Sequence, residues 1–207
     1  MNALLGLSRS IDRLNQFVGK WVAWLVLAAV VVSSVNAVVR KAFNMSSNSL
    51  LEIQWYFFSA VFLLCSGYTL LRNEHVKIDV VLHMWTKRKQ IWIDIIGIVF
   101  FLFPFVLSVI YLSWPLFVTA FQTGEMSQNA GGLVRWPVYS LVPVGFALLF
   151  IQGISELIKR FAYLRGLIDD PTIKKQTKSA EQELAEEILR HKGELAAAAA
   201  LAKGDAK

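Results

Sequence analysis

His75, Asp79 and His83 fall at i, i+4 and i+8, between two apolar stretches of the chain. Neighbouring members of such a set on a short helix can share a metal ion, because imidazole nitrogens and carboxylate oxygens are ordinary ligands. The whole set spans roughly 12 Å of helical rise, too far for one ion. An i, i+4 polar pair on an interfacial turn, with Val76, Val80 and Trp85 on its other face, explains the same spacing. The third histidine is His191, and none of the three lies inside an apolar stretch, so axial haem ligation across a helix bundle has no candidates. Cys65 stands alone, and the chain has no Gly-rich phosphate loop and no Ser/His/Asp set. Neither catalysis nor a cofactor is expected.

The remaining acid of interest is Glu52, in a stretch where it is the sole charge, residues 50–71. Ser49-Leu50-Leu51-Glu52 has the spacing of a capping box, in which Ser49 caps a helix from Leu50 and Glu52 reaches back to the cap N–H. The helix-start position favours the cap; the alternative, since a carboxylate within a membrane helix is costly, is an ion pair or hydrogen bond with a partner helix.

The elements that position these residues are four apolar runs. Residues 21–39 carry no charge, 50–71 only Glu52, 91–121 only Asp94 and 136–158 only Glu156. Crossing a hydrocarbon core of ~30 Å takes ~20 mainly apolar residues. The expected fold is therefore an all-α membrane protein with four transmembrane helices, at about 20–42, 50–71, 91–121 and 136–160. A charged fraction of 17%, against about 25% in an average soluble domain, agrees. Trp21, Trp24, Trp55, Trp92 and Trp136 stand near segment ends, where interfacial aromatics gather.

The net charge of +6 does not signal nucleic-acid binding, because the cations sit in loops beside apolar helices. Arg9, Arg13, Lys20, Arg72, Lys77, Lys87, Arg88, Lys89, Lys159, Arg160 and Arg165 fall on one side of the membrane, against Arg40, Lys41 and Arg135 on the other. The positive-inside rule places both termini in the cytoplasm. Lys87, Arg88 and Lys89 are positioned to hold anionic phospholipid headgroups there. Val35-Asn36-Ala37 loosely resembles a signal-peptide cleavage site, but the apolar run before it is too long and starts too late.

Residues 1–19 read as an amphipathic cytoplasmic lead, with Leu4, Leu7, Ile11, Leu14 and Phe17 at near-helical spacing around Arg9, Asp12 and Arg13. It either lies in the interface plane or begins the first transmembrane helix. The third run is ~46 Å long if fully helical, so it must tilt, protrude or bend, with Pro104 and Pro115 as candidate bend points. Trp136-Pro137 suits the first turn of the fourth helix. The membrane domain spans 20–165. Residues 166–207 form a cytoplasmic tail, rich in Lys, Glu and Ala beyond Pro171 and partly helical.

Two stripes of small or weakly polar side chains run along the first two helices. One comprises Ala29, Ser33, Asn36 and Arg40; the other Glu52, Tyr56, Ser59, Ser66 and Asn73. Helix contacts in lipid use such stripes, so these residues are the expected partner-helix contacts, within the chain or with a neighbour. A conduction path would require several charged or strongly polar groups near the midplane, and the runs supply none. A redox-complex anchor and a small autonomous transporter are the competing readings. The first lacks paired intramembrane histidines; the second lacks a polar path.

The order Glu52-x2-Trp55, Gly67, Arg72-x2-His75-Val76-x-Ile78-Asp79, then Ser127, then Trp136-Pro137 and Pro143-x-Gly145, set on four apolar segments, resembles the DctQ-type small membrane subunit of tripartite ATP-independent periplasmic (TRAP) transporters. The resemblance covers about residues 10–165. It implies a bacterial or archaeal inner-membrane protein that partners a large permease subunit and a soluble periplasmic substrate-binding protein. It further implies that the large subunit carries the substrate and sodium sites and moves, while the small one braces it. The implied cargo is an organic anion such as a dicarboxylate, keto acid or sugar acid.

Overall fold

The computed structural model describes residues 2–43, 48–73 and 85–168. The block from His75 to His83 and the tail from residue 169 lie outside the described residues. Four helical segments are long and apolar enough to cross a membrane: Ala3–Phe43, Asn48–Arg72, Lys87–Thr123 and Trp136–Leu164.

The first is a single helix, α1 (Asn2–Phe43), of 42 residues. At 1.5 Å per residue it is ~63 Å long, about twice a hydrocarbon core. The lead is thus the start of the first membrane helix rather than a separate element lying in the interface plane. The second segment comprises α2 (Asn48–Leu64) and α3 (Ser66–Arg72). Cys65 lies between them, yet its N–H still reaches Val61 O at 3.1 Å, so the path stays helical. Asn73 ends it in the left-handed region at φ 55°, which asparagine tolerates.

The third segment runs through α4 (Lys87–Gly97), a π-turn at Ile98–Leu102 and α5 (Phe103–Thr123). Proline has no N–H and crowds the carbonyl four residues back. The π-turn precedes Pro104, and the Phe103 N–H bonds to Ile98 O, five residues back, widening the helix where that crowding falls. Pro115 sits inside α5, which continues through it.

The fourth segment, α6 (Trp136–Leu164), touches every other helix. Its close approaches use small residues. A Cβ on Gly145 would lie 2.6 Å from Leu63 O, so α2 and α6 meet nearly backbone to backbone. Gly67 of α3 likewise leaves no room beside Asn15 and the Leu148 carbonyl. Phe103 and Phe105 pack on Phe150 and Phe146, with ring centroids 4.7 and 5.9 Å apart. Large apolar side chains such as Trp24, Phe58, Phe62 and Leu112 point outward, while Asn15, Gln152 and Ser155 are fully buried. That inversion suits a bundle whose solvent is lipid.

Candidate functional site: a polar clasp at each end of the bundle

At the end where α2 begins, the chain between α5 and α6 folds into a small hairpin. Ser127 N–H donates to Leu133 O and Arg135 N–H to Glu125 O, both at 2.9 Å, around an isolated Met126–Val134 bridge. Gly131 takes a positive φ of 72° at its tip, where glycine has no Cβ penalty. Glu52 is 7% exposed and grips this hairpin. Its Oε1 accepts from Ser127 Oγ and from Asn129 Nδ2 at 2.8 Å, and its Oε2 accepts the Leu133 N–H at 2.7 Å. Tyr56 donates to Val134 O at 2.8 Å, Asn48 to Ala130 O at 3.1 Å, and Ser49 Oγ to Gly131 O.

This corrects the capping-box reading. The helix starts at Asn48, and Glu52 reaches across to the hairpin rather than back to Ser49. The hairpin offers the carboxylate three donors where a capping box offers one, and charge-assisted bonds of this kind are the stronger ones. Beside the latch lies an open cleft of about 240 Å³, with Trp55, Tyr56, Ser59, Arg135 and Tyr139 among its walls. Arg135 donates to Glu125 Oε1 at 3.2 Å and to the Tyr139 hydroxyl at 3.3 Å.

The opposite end carries a second clasp. Asp12, Asp94 and Glu156 meet Lys159 and Arg160 there. Asp12 Oδ1 accepts from Ser155 Oγ at 2.7 Å and from Gln152 Nε2 at 3.0 Å, and Asp12 Oδ2 pairs with Lys159 at 3.2 Å. Lys159 and Arg160 each also pair with Glu156. Arg160 directs Nε and Nη2 onto Asp94 Oδ2 at 3.2 and 3.1 Å, tying α4 to α6. Asn15 donates to Gln152 Oε1 at 2.9 Å, and Ser8 meets Ser155 at 2.7 Å. Arg160 is 4% exposed and Glu156 6%. Charges this far from water persist because each is paired and hydrogen-bonded.

The predicted residues divide accordingly. Glu52, Tyr56 and Ser66 spend their hydrogen bonds inside the chain; Ser66 Oγ bonds Leu63 O at 2.7 Å. Asn36 is buried, Ala29 and Ser59 are half-buried, and Ser33 is exposed. Three members of the second-helix stripe, Glu52, Tyr56 and Ser66, therefore direct their polar groups to α6 and the hairpin. Trp55 is exposed, Arg72 stacks on Tyr68 and bonds its hydroxyl at 3.0 Å, and Lys87, Arg88 and Lys89 open α4 on the surface. Trp136 meets Phe121 edge-on at 5.5 Å, Pro137 occupies the first turn, and Pro143 is buried. His75, Val76 and Asp79 lie outside the described residues. Among the motif residues, Glu52 with Ser127, and Gly67, Gly145 and Trp136, are joints of the bundle.

The clasp around Asp12 was missed in the sequence. Its signal was present: Ser8, Asp12 and Asn15 share one helical face, as do Gln152, Ser155, Glu156 and Lys159. Among the described residues, no group of three His, Cys, Asp or Glu side chains is placed to hold a metal ion.

The model of the DctQ component of the tripartite ATP-independent periplasmic transporters matches residues 27–162. The chain belongs to the DctQ family. No curated protein and no solved structure matches it. As a DctQ protein it is the small subunit of a TRAP transporter, a multi-pass membrane protein. DctQ components work with a large permease and a substrate-binding protein. The Glu52 latch lies wholly within the matched residues. Of the second clasp, the match includes the partners on α4 and α6 but not Ser8, Asp12 and Asn15.

Proposed function

We propose that this DctQ subunit is a fixed brace for the large permease, in sodium-coupled uptake of organic anions such as dicarboxylates, keto acids or sugar acids. Both termini are cytoplasmic in a bacterial or archaeal inner membrane, so the Glu52 hairpin faces the periplasm and the binding protein. Lys87, Arg88 and Lys89 hold anionic phospholipid on the inner side.

The observation that carries this reading is the pair of clasps. The ionic side chains of the described helices gather at the two ends, while between them α2, α3 and α6 are packed on Gly67 and Gly145. Such a bundle resists shear and tilt, as a stationary partner for a moving domain must. The test is reconstitution in liposomes. Uptake is expected only when this subunit, the large permease and the binding protein are all present. Flux through this chain alone overturns the proposal. Labelling single cysteines at positions 88 and 128 in a Cys65→Ala background tests orientation, with position 128 expected to react from the periplasm.

A further inference from the structure

The outward face of α5 carries hydrogen-bonding groups that no other described residue uses. Pro115 has no N–H, so the carbonyl of Tyr111, four residues earlier, lacks its helical donor. Tyr111 is 79% exposed, and among the described residues nothing pairs with its hydroxyl. Ser108 and Thr119 are exposed on the same face, a turn to either side of the Tyr111–Pro115 pair.

Depth makes this unusual. Phe105 lies beside Phe146, and Leu63 beside Gly145, at a level near the middle of the stretch from Glu52 to Arg72. Tyr111 stands roughly 9 Å further along α5, still within a hydrocarbon half-thickness of ~15 Å. Helical side chains lean toward the helix N-terminus, which directs this ring toward the middle rather than the nearer headgroups. Lipid tails offer no donor for a free carbonyl's partial negative charge and no acceptor for a phenol. A polar side chain on another membrane helix offers both.

We infer that the Tyr111–Pro115 face of α5 docks a transmembrane helix of the large permease, which donates to the Tyr111 carbonyl and pairs with the Tyr111 hydroxyl. This rests on the bracing reading and names its contact surface. It moves that surface away from the second-helix stripe, where Glu52, Tyr56 and Ser66 are already engaged.

The experiment uses the whole transporter in native membranes. p-Benzoylphenylalanine replaces Tyr111 in one variant and Phe62, exposed on α2, in another. Crosslinking to the large permease is expected from position 111 and not from 62. Tyr111→Phe keeps the ring and removes only the hydroxyl; it is expected to weaken co-purification with the permease roughly three- to twentyfold, the range measured for interhelical hydrogen bonds in membranes. Three outcomes overturn the inference: crosslinks to a second copy of this chain, crosslinks to lipid alone, and an unaltered complex with Tyr111→Phe. If the unmodified chain fails to co-purify with the permease at all, the bracing reading itself falls. If it co-purifies but crosslinks only from position 62, the brace stands and the α5 surface is wrong.

Discussion

Arg160→Met tests the second clasp most sharply. The clasp holds three carboxylates, Asp12, Asp94 and Glu156, against two cations, Lys159 and Arg160. Arg160 bridges two of those acids and is 4% exposed. Methionine keeps most of the stem and its packing but removes the cation that joins Asp94 to Glu156. Removing one partner of a buried pair costs about 3–5 kcal/mol, because the surviving charges remain out of water. That is a large share of a typical stability of roughly 5–15 kcal/mol. Glu156→Gln removes one acid from the side in excess and leaves Lys159 with Asp12 and Arg160 with Asp94, so it should cost less, about 1–2 kcal/mol. The double variant should then be less destabilised than the sum of the singles by roughly 1–3 kcal/mol, since losing the acid relieves what losing the arginine created. Unfolding of the purified chain by SDS titration in mixed micelles measures all three. Additive losses would show that Arg160 and Glu156 are not coupled, and the clasp would reduce to independent pairs.

Two further outcomes follow from the joints and one from the exposed start of α4. Gly145→Ala should destabilise by about 1–3 kcal/mol because its new methyl meets the Leu63 backbone, whereas Gly97→Ala, with open space around it, should stabilise slightly through helix propensity; melting of the two proteins in detergent decides. Glu52→Gln should loosen the hairpin, speeding hydrogen exchange at the Leu133 amide while leaving helix amides near Leu149 unchanged; equal protection of Leu133 in both proteins would disprove the latch. Replacing Lys87, Arg88 and Lys89 together by glutamine should reduce the anionic phospholipid that co-purifies with the chain, read by native mass spectrometry.

The four crossings were legible because ~20 apolar residues in a row have few other uses. The family was legible from the order of its motifs, above all the block at His75, Val76 and Asp79 outside the described residues; of the other motif residues, Glu52, Gly67, Gly145 and Trp136 each fix a contact between elements. The partners in those contacts were not legible. Glu52 stands three residues after a serine, a spacing that local rules read as a cap, and the donors that claim it lie 75 to 81 residues away in a loop with no periodic signal. The hairpin itself depends on Gly131 at positive φ and on short backbone bonds that leave little imprint on residue type. Pro104 was readable as a disturbance of the third helix, but the form it takes, a π-turn at Ile98–Leu102 that ends two residues before the proline, carries no mark in residue type.

The lead carries the most instructive reversal. Its alternation of apolar and polar residues identifies a helix with two faces, and periodicity alone is indifferent to which face looks inward. In water the apolar face turns in. Here Ser8, Asp12 and Asn15 turn in toward α6, while Leu4, Leu7, Leu14 and Phe17 stay outside, each at least 44% exposed. The choice follows from where hydrogen-bonding partners are. Lipid offers a polar side chain nothing, so Gln152, Ser155 and Lys159 draw the polar face to themselves, and the leucines lose little by facing tails. The same balance forbids leaving Leu4 and Leu7 bare in water. The first turns of α1 must therefore lie at the membrane boundary or against an apolar surface of another subunit. Leu7→Asp would separate the two: against lipid, the chain should still assemble with the permease and insert less deeply; against a subunit, co-purification should fall.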